Sequence, residues 1–456
     1  MKFFNDSFSK NGFSNGNIND IKDKDIASNI IIKNGTLINT ENNSKEKVDI
    51  LIERGVITRI GSDIDMGASV RQNFLEINAT DLFICPGFFD MHVHLREPGN
   101  EEEENIKSGI RSALRGGVTA LACMPNTKPV LDDPYLIKYI KLAAIANNFN
   151  IFPIASMTKN IAGEKIAELG LLKEAGAIAF SDDGHCVQND KLMYEIMKYA
   201  TDMDLLLILH EEDYDFSETG LAHEGYYSSF LGLDGISSFS EDLFIARDIM
   251  FAKKTDARIH ITHVSSKNAV ELIRKAKEEG VKVTCDVTPE HMFFNDSCIK
   301  DYDTNFKIKP PIRSEEDRKA IIDGIKDGTI DAIASDHAPH LDIEKQVSFK
   351  EAAFGSIGLE TIFKASFTKL CCEEGVSLEK LVCLISKNPA KILNTNLGSI
   401  KENELANISI VDLNLEDIYK KDLIVSKSKN STFIGINLKG EIIYTISNGR
   451  LMYSNK

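Results

Sequence analysis

Between about residues 82 and 334 the chain repeats one unit, a short apolar run suited to a buried strand followed by a helical stretch. Such runs occupy 82–91, 119–124, 151–156, 177–180, 205–209, 258–261, 281–287 and 330–334. Alternating strands and helices build parallel sheets. Eight parallel strands with intervening helices close most naturally into a (β/α)8 TIM barrel, whose active site lies at the C-terminal ends of the strands. A polar residue that closes one of these runs is therefore delivered by the fold to the mouth where chemistry occurs.

Six such residues carry the donor atoms of metal ligands. His92 and His94 end the first run, and side chains i and i+2 on a strand share a face, so both imidazoles can reach one point. Alone, a His-x-His pair reads equally well as two core or surface histidines. Asp183 follows the fourth run in Ser181-Asp182-Asp183-Gly184, His210 ends the fifth, His263 the sixth and Asp336 the eighth. Four histidines and two aspartates suffice for two divalent ions that share a bridging carboxylate and a bridging hydroxide, a donor set that suits Zn2+. Two ions about 3.5–4 Å apart lower the pKa of the shared water and polarise a carbonyl, so the pattern implies metal-assisted hydrolysis. Asp336 is the candidate catalytic acid and base, and its bland alternative is a helix cap or turn residue.

Composition narrows the class. A chain of 456 residues exceeds what one small core needs. A formal charge of -16 speaks against nucleic acid, which asks for clustered Lys and Arg. No apolar stretch reaches the roughly 18 residues of a membrane span, and the start lacks a basic-then-apolar signal pattern, so a cytoplasmic enzyme of a small molecule is expected. The eight cysteines show no Cys-x-x-Cys spacing, which predicts reduced thiols, with Cys186 a bystander. Residues 1–27, polar with only Phe3, Phe4 and Phe13 as large apolar residues, are expected to form a mobile tail. Alternating β-branched segments with turns at Asn34-Gly35, Arg54-Gly55 and Asn448-Gly449 predict hairpins at both ends of the chain. These are expected to join as one composite β-sandwich domain of 28–84 and 392–456, flanking a barrel of 85–391.

Several motifs carry a resemblance to a known family. The stretch Pro86-Gly87-Phe88-Phe89-Asp90-Met91-His92-Val93-His94-Leu95-Arg96 is similar to the opening of the amidohydrolase superfamily, in its cyclic-amidase branch. Five motifs, His94-Leu95-Arg96-Glu97-Pro98-Gly99, Met124-Pro125-Asn126-Thr127, Ser181-Asp182-Asp183-Gly184, His263-Val264-Ser265 and Ser335-Asp336-His337-Ala338-Pro339-His340, narrow the resemblance to the bacterial dihydroorotases over about residues 29 to 453. The resemblance implies reversible interconversion of N-carbamoyl-L-aspartate and L-dihydroorotate in pyrimidine synthesis. It puts His92, His94 and Asp336 on a first metal, and His210 and His263 on a second. An aspartate bridges the two where hydantoinase and allantoinase relatives use a carboxylated lysine. Spacing leaves Asp182 and Asp183 open for that role, and the family pattern favours Asp183.

The same resemblance marks Arg96 as a clamp for the substrate carboxylate, which a planar guanidinium grips with two hydrogen bonds. It adds Asn126, His340 and the backbone at Phe354 and Gly355 as substrate contacts. Lys309, in Lys307-Ile308-Lys309-Pro310-Pro311, stands where relatives commonly carry Asn, so that contact can donate but not accept. Glu290 replaces a common His, and His291 is structural, as are His185, His223, His260 and His337. A homodimer and an association with aspartate transcarbamoylase are implied as partners. A hydantoinase-type amidase is the first alternative, opposed by Arg96 and the lack of a bridging Lys. An inactive partner of aspartate transcarbamoylase is the second, opposed by the full ligand set. Glu101 to Glu104 are expected to form a solvated helix N-terminus, and Gly116-Gly117 a tight helix-to-strand turn.

Overall fold

The computed structural model describes residues 29–65, 67, 71 and 73–455; the expected tail of 1–27 lies outside them. Eight strands, Phe88–Val93, Val118–Cys123, Asn150–Ala155, Ala179–Phe180, Leu206–Leu209, Arg258–Ile261, Val283–Val287 and Ala332–Ile333, pair in that order, all parallel. Past the last strand, His337 bridges in parallel to Val93, and the His94 N–H donates to the His337 carbonyl at 2.9 Å. That contact closes the (β/α)8 barrel expected from the runs.

Strand alternation decides what enters the barrel. Phe89, Met91, Ala120, Ala122, Ile154, Ala179, Leu206, Ile208, Ala332 and Ala334 pack together as the interior cluster. Their neighbours, such as Leu121, Phe180, Leu207, Ile259 and Ile333, join the larger core under the helices. His210 continues the inward parity of Leu206 and Ile208. Asp336 continues that of Ala332 and Ala334, and Asp183 that of Ala179. His92 and His94 do not share the parity of Phe89 and Met91. The first strand has a bulge there, since Asp90 pairs with Leu121 but Val93 with Cys123, three residues against two. A bulge re-aims the side chains beyond it, and here it turns the two imidazoles into the mouth.

The first apolar run proves to be two strands in two sheets. Phe83–Pro86 joins the other sheet, and Phe88–Val93 starts the barrel. Gly87 is the step between them. Its N–H donates to the Asn407 carbonyl at 2.9 Å, and a Cβ on it would lie 2.1 Å from Thr119 Oγ1. The second sheet runs Arg450–Ser454, Asn437–Ser447, Ile408–Ile418, Phe83–Pro86, Ile30–Asn39, Ser44–Glu53, Val56–Gly61, with Leu75–Asn78 beside Ile30–Asn39. Both ends of the chain thus meet in one sheet, joined where Ile408 faces Pro86 and Ile410 faces Ile84. Arg54-Gly55 and Asn448-Gly449 are the expected tight turns, with positive φ at both residues of each. Asn34-Gly35 is not a turn. Ile30–Asn39 runs straight through it with a bulge between Ile32 and Gly35, because Asp49 accepts the Asn34 N–H at 2.9 Å and holds the irregularity inside the sheet.

Among the described residues no helix is long and apolar enough to cross a membrane. Gly87→Ala is expected to lower stability by about 1–3 kcal/mol, the usual cost of overpacking. The urea midpoint checks this, and an unchanged midpoint would show that Thr119 yields without cost.

Candidate metal centre

The six candidate ligands converge on one point at the barrel mouth. Asp183 Oδ2 lies 3.4 Å from both His92 Nε2 and His94 Nε2, while its Oδ1 lies 3.5 Å from His210 Nδ1 and 3.6 Å from His263 Nε2. One carboxylate is thus divided between two histidine pairs. Asp336 Oδ1 sits 3.4 Å from His92 Nε2 and 3.2 Å from His94 Nε2, on the side of the first pair only. His92 with His94 and Asp336, and His92 with Asp183 and His263, form sets whose donor atoms lie within 4.8 Å of one another. Buried His92 Nε2 and Asp183 Oδ1 have no hydrogen-bond partner, which is how donors aimed at a cation behave. The residues fit the metal centre the sequence implies.

Asp182 is elsewhere. Its carboxylate accepts the Met157 N–H at 2.7 Å, the Thr158 N–H at 3.0 Å and the Thr158 hydroxyl, so it fastens the loop after the third strand. The choice that spacing left open follows from alternation, because Asp183 shares the inward parity of Ala179 and Asp182 does not.

Polar groups behind the candidate ligands orient the rings. Thr262 Oγ1 is 2.7 Å from His92 Nδ1 and in turn donates to Asp286, which accepts the His263 N–H at 2.6 Å and pairs with His260 at 2.9 Å. Glu212 Oε2 is 3.1 Å from His210 Nε2. Asn126 Oδ1 is 2.8 Å from His94 Nδ1, so the expected substrate contact stands behind a candidate ligand. Such partners fix the tautomer and raise the basicity of the facing nitrogen. Thr262, Asp286 and Glu212 escaped the sequence reading. Asp286 carries the signal used for the six, a polar residue at the end of a barrel run, in the one late run assigned no candidate.

Burial by itself lowers the pKa of His92 and His210, but the carboxylates of Asp183 and Asp336 lift His92 to about 9, and Asp183 and Glu212 lift His210 to about 10. Asp183 feels the same pull in reverse: burial raises it, and His92, His210 and His263 hold it well below the carboxylate range. A cation competes with protons for this pull, and binding one releases them. His263 (φ 39°), Asp336 (φ 45°) and Arg96 (φ 59°) adopt the left-handed backbone region, which costs non-glycine residues about 1–3 kcal/mol each and clusters at working sites.

Beside the centre, Arg96 Nε reaches the Pro339 carbonyl at 3.1 Å and Glu103 at 2.9 Å, and its Nη2 abuts His340 Nε2 at 3.4 Å. His340 Nε2 donates to the Phe354 carbonyl at 2.8 Å. Burial, then Arg96, pushes His340 down to about 3, so the ring stays neutral. Gly355 has both peptide groups engaged, the N–H with Lys307 O at 2.9 Å and the carbonyl with Lys345 Nζ at 3.1 Å and Asn430 Nδ2 at 3.2 Å. Lys309 pairs with Glu212, its ammonium 5.4 Å from the Phe354 ring centre. The acids at 101–104 are only partly the solvated helix end expected. The helix Ile106–Arg115 starts after its cap Asn105, and Glu103 and Glu104 are buried before it, Glu103 on Arg96 and Glu104 on His337 at 3.4 Å.

The folded chain is similar to the L-hydantoinase (dihydropyrimidinase) from Arthrobacter aurescens, with a TM-score of 0.81 at 24% identity over 93% of this chain and 96% of that one. It is also similar to the dihydropyrimidinase from Brevibacillus agri, with a TM-score of 0.79 at 20% identity, covering 94% and 95%. These likenesses give the fold, a barrel with a β-sandwich. Residues 82–269 match the family model described as dihydro-orotase-like. The dihydroorotase of Ruminiclostridium cellulolyticum is 46% identical over 92% of this chain and 97% of its own length, and that of Thermoanaerobacter sp. 45% identical over 93% and 97%. The chain belongs to the dihydroorotase family.

Glu290 supplies a pH test. It is buried, its Oε2 has no partner, and burial pushes its carboxyl up to about 8. A carboxyl raised in the folded state contributes stability that is full below its unfolded pKa of about 4.3 and lost as pH rises through about 8. Urea midpoints of the unaltered chain are expected to fall more between pH 5 and pH 8.5 than those of Glu290→Gln. Parallel profiles would contradict this.

Proposed function

We propose that this chain hydrolyses and re-forms the cyclic amide of L-dihydroorotate, interconverting it with N-carbamoyl-L-aspartate, at a centre of two Zn2+ ions. The division of the Asp183 carboxylate between the His92–His94 and His210–His263 pairs supports the reading most directly. His92, His94 and Asp336 would hold one ion, His210 and His263 the other, and Asp183 both. When bound, the ions supply Lewis-acid polarisation of the carbonyl and a water acidic enough to attack at neutral pH. Asp336 takes the proton of the attacking water; as the oxygen bonds the carbonyl carbon and the carbon–nitrogen bond breaks, Asp336 returns that proton to the leaving nitrogen. In the direction of ring closure the same carboxylate moves the proton the other way.

Arg96, steadied along its Nε edge by Pro339 and Glu103, is the proposed clamp for the substrate carboxylate, with His340 and Phe354 beside it. Asn126 serves the substrate end of the site and also steadies His94. The backbone of Gly355 is engaged within the loop, so its contribution is the shape of the wall. The reading extends to action in the cytoplasm and to a homodimer, supported by Tyr135, Tyr139, Leu142 and Ile145 exposed along one helix, Pro134–Ala146. It extends also to aspartate transcarbamoylase as a partner. Light scattering of the chain with and without that enzyme tests both assemblies.

Purified chain loaded with zinc is expected to turn over L-dihydroorotate and to discriminate against hydantoin and allantoin. Zinc binding with no turnover of any of them, partner enzyme present, would refute the reading. Asp336→Asn is expected to lose at least about 100-fold in kcat, the scale of general acid–base catalysis, while retaining metal. Near-normal turnover would remove Asp336 from the proton transfer. Arg96→Ala is expected to raise KM for dihydroorotate about tenfold or more, since a charge-assisted bidentate pair is lost; an unchanged KM would refute the clamp.

A further inference from the structure

Lys309 sits at the end of a line of charged groups that leads to the centre. Its ammonium lies against Glu212 Oε1, and the other oxygen of that carboxylate, Oε2, is 3.1 Å from His210 Nε2. The far side of the same imidazole, Nδ1, faces Asp183 Oδ1 at 3.5 Å and His263 Nε2 at 2.9 Å. Ammonium, carboxylate and imidazole therefore stand in sequence behind one half of the metal site. The Glu212 side chain is only 5% exposed, and a carboxylate that deep needs partners that hold it in place. Lys309 is one, and the Phe354 ring, 5.4 Å from its Nζ, limits where the ammonium can go. A fixed Glu212 accepts from His210 Nε2, which commits Nδ1 to the inner position facing Asp183.

We propose that Lys309 is a positioning residue for the His210–His263 half of the centre, holding Glu212, which in turn orients His210 toward its cation. The inference rests on the metal-centre reading above. It assigns to Lys309 a role through the protein in place of a direct grip on the substrate ring. Without the ammonium, Glu212 keeps His210 as its partner on Oε2 but loses the contact that fixes Oε1, and the carboxylate is free to turn. That movement releases the imidazole.

The test is a double-mutant cycle on the full chain, stripped of metal and titrated with Zn2+ against a chromophoric chelator, with KM for dihydroorotate measured at saturating zinc. Lys309→Met is expected to weaken one of the two zinc equivalents about tenfold, the low end of the loss seen when a partner behind a ligand is removed. Lys309→Arg, which keeps the charge, is expected to stay within about twofold of the unaltered chain. In a Glu212→Gln background, Lys309→Met is expected to have little further effect, because the line is already cut. If Lys309→Met does not fold, Lys309→Gln is expected to show the same loss of zinc. Unchanged zinc affinity in the neutral variants would overturn the proposal. So would a rise in KM of equal size with and without Glu212, which marks a substrate contact. Failure of the unaltered chain to bind zinc would overturn the metal-centre reading, and the inference with it.

Discussion

One buried carboxylate sets the terms for the whole mouth of the barrel. Asp183 meets four imidazoles with its two oxygens, and the imidazoles arrive from three strands of the ring. Bringing them there requires a parallel barrel with the right parity on three strands and local irregularity on the others. The bulge before Val93 turns His92 and His94 inward, and the left-handed backbone at His263 does the same for a residue whose parity would point it to the helices. The strain is tolerated because Asp286 fixes the His263 N–H and Thr262 behind it.

The chain carries an excess of acid, with a net charge of -16, yet much of the acid near the mouth is neither exposed nor idle. Glu103 faces Arg96, Glu104 faces His337, Asp286 faces His260, and Glu212 faces His210 and Lys309. A buried carboxylate is costly alone and tolerable when paired and hydrogen-bonded. Glu103, Glu212 and Asp286 each hold a group at the centre or at the wall beside it. Glu104 extends the arrangement to the seam of the barrel, since its partner His337 is the residue that bridges back to the first strand. Site and fold therefore share the same buried charges.

The barrel was legible because eight apolar runs carry a strong signal in composition and spacing, and the strands fall within a residue or two of seven of them. The six converging donors were legible for the same reason, as polar ends of those runs. Reading 82–91 as one strand failed because a two-sheet crossing leaves no polar residue to mark it; the pair Pro86-Gly87 is the punctuation, and the meaning of the glycine lies in the closeness of Thr119. Asn34-Gly35 misled because the dipeptide that makes a hairpin turn also suits a bulge, and the difference is made by Asp49 on the neighbouring strand. Glu103, Glu104 and Glu212 were illegible because a charged residue in a loop looks solvated until tertiary partners are known.

Anomalous diffraction at the zinc edge from crystals of the loaded chain bears most directly on the central claim that Asp183 is shared by two ions. The account predicts two peaks about 3.5–4 Å apart, one beside His92 and His94 and one beside His210 and His263, with the Asp183 carboxylate between them. A single peak at full zinc loading, or a pair bridged by any group other than Asp183, would contradict it.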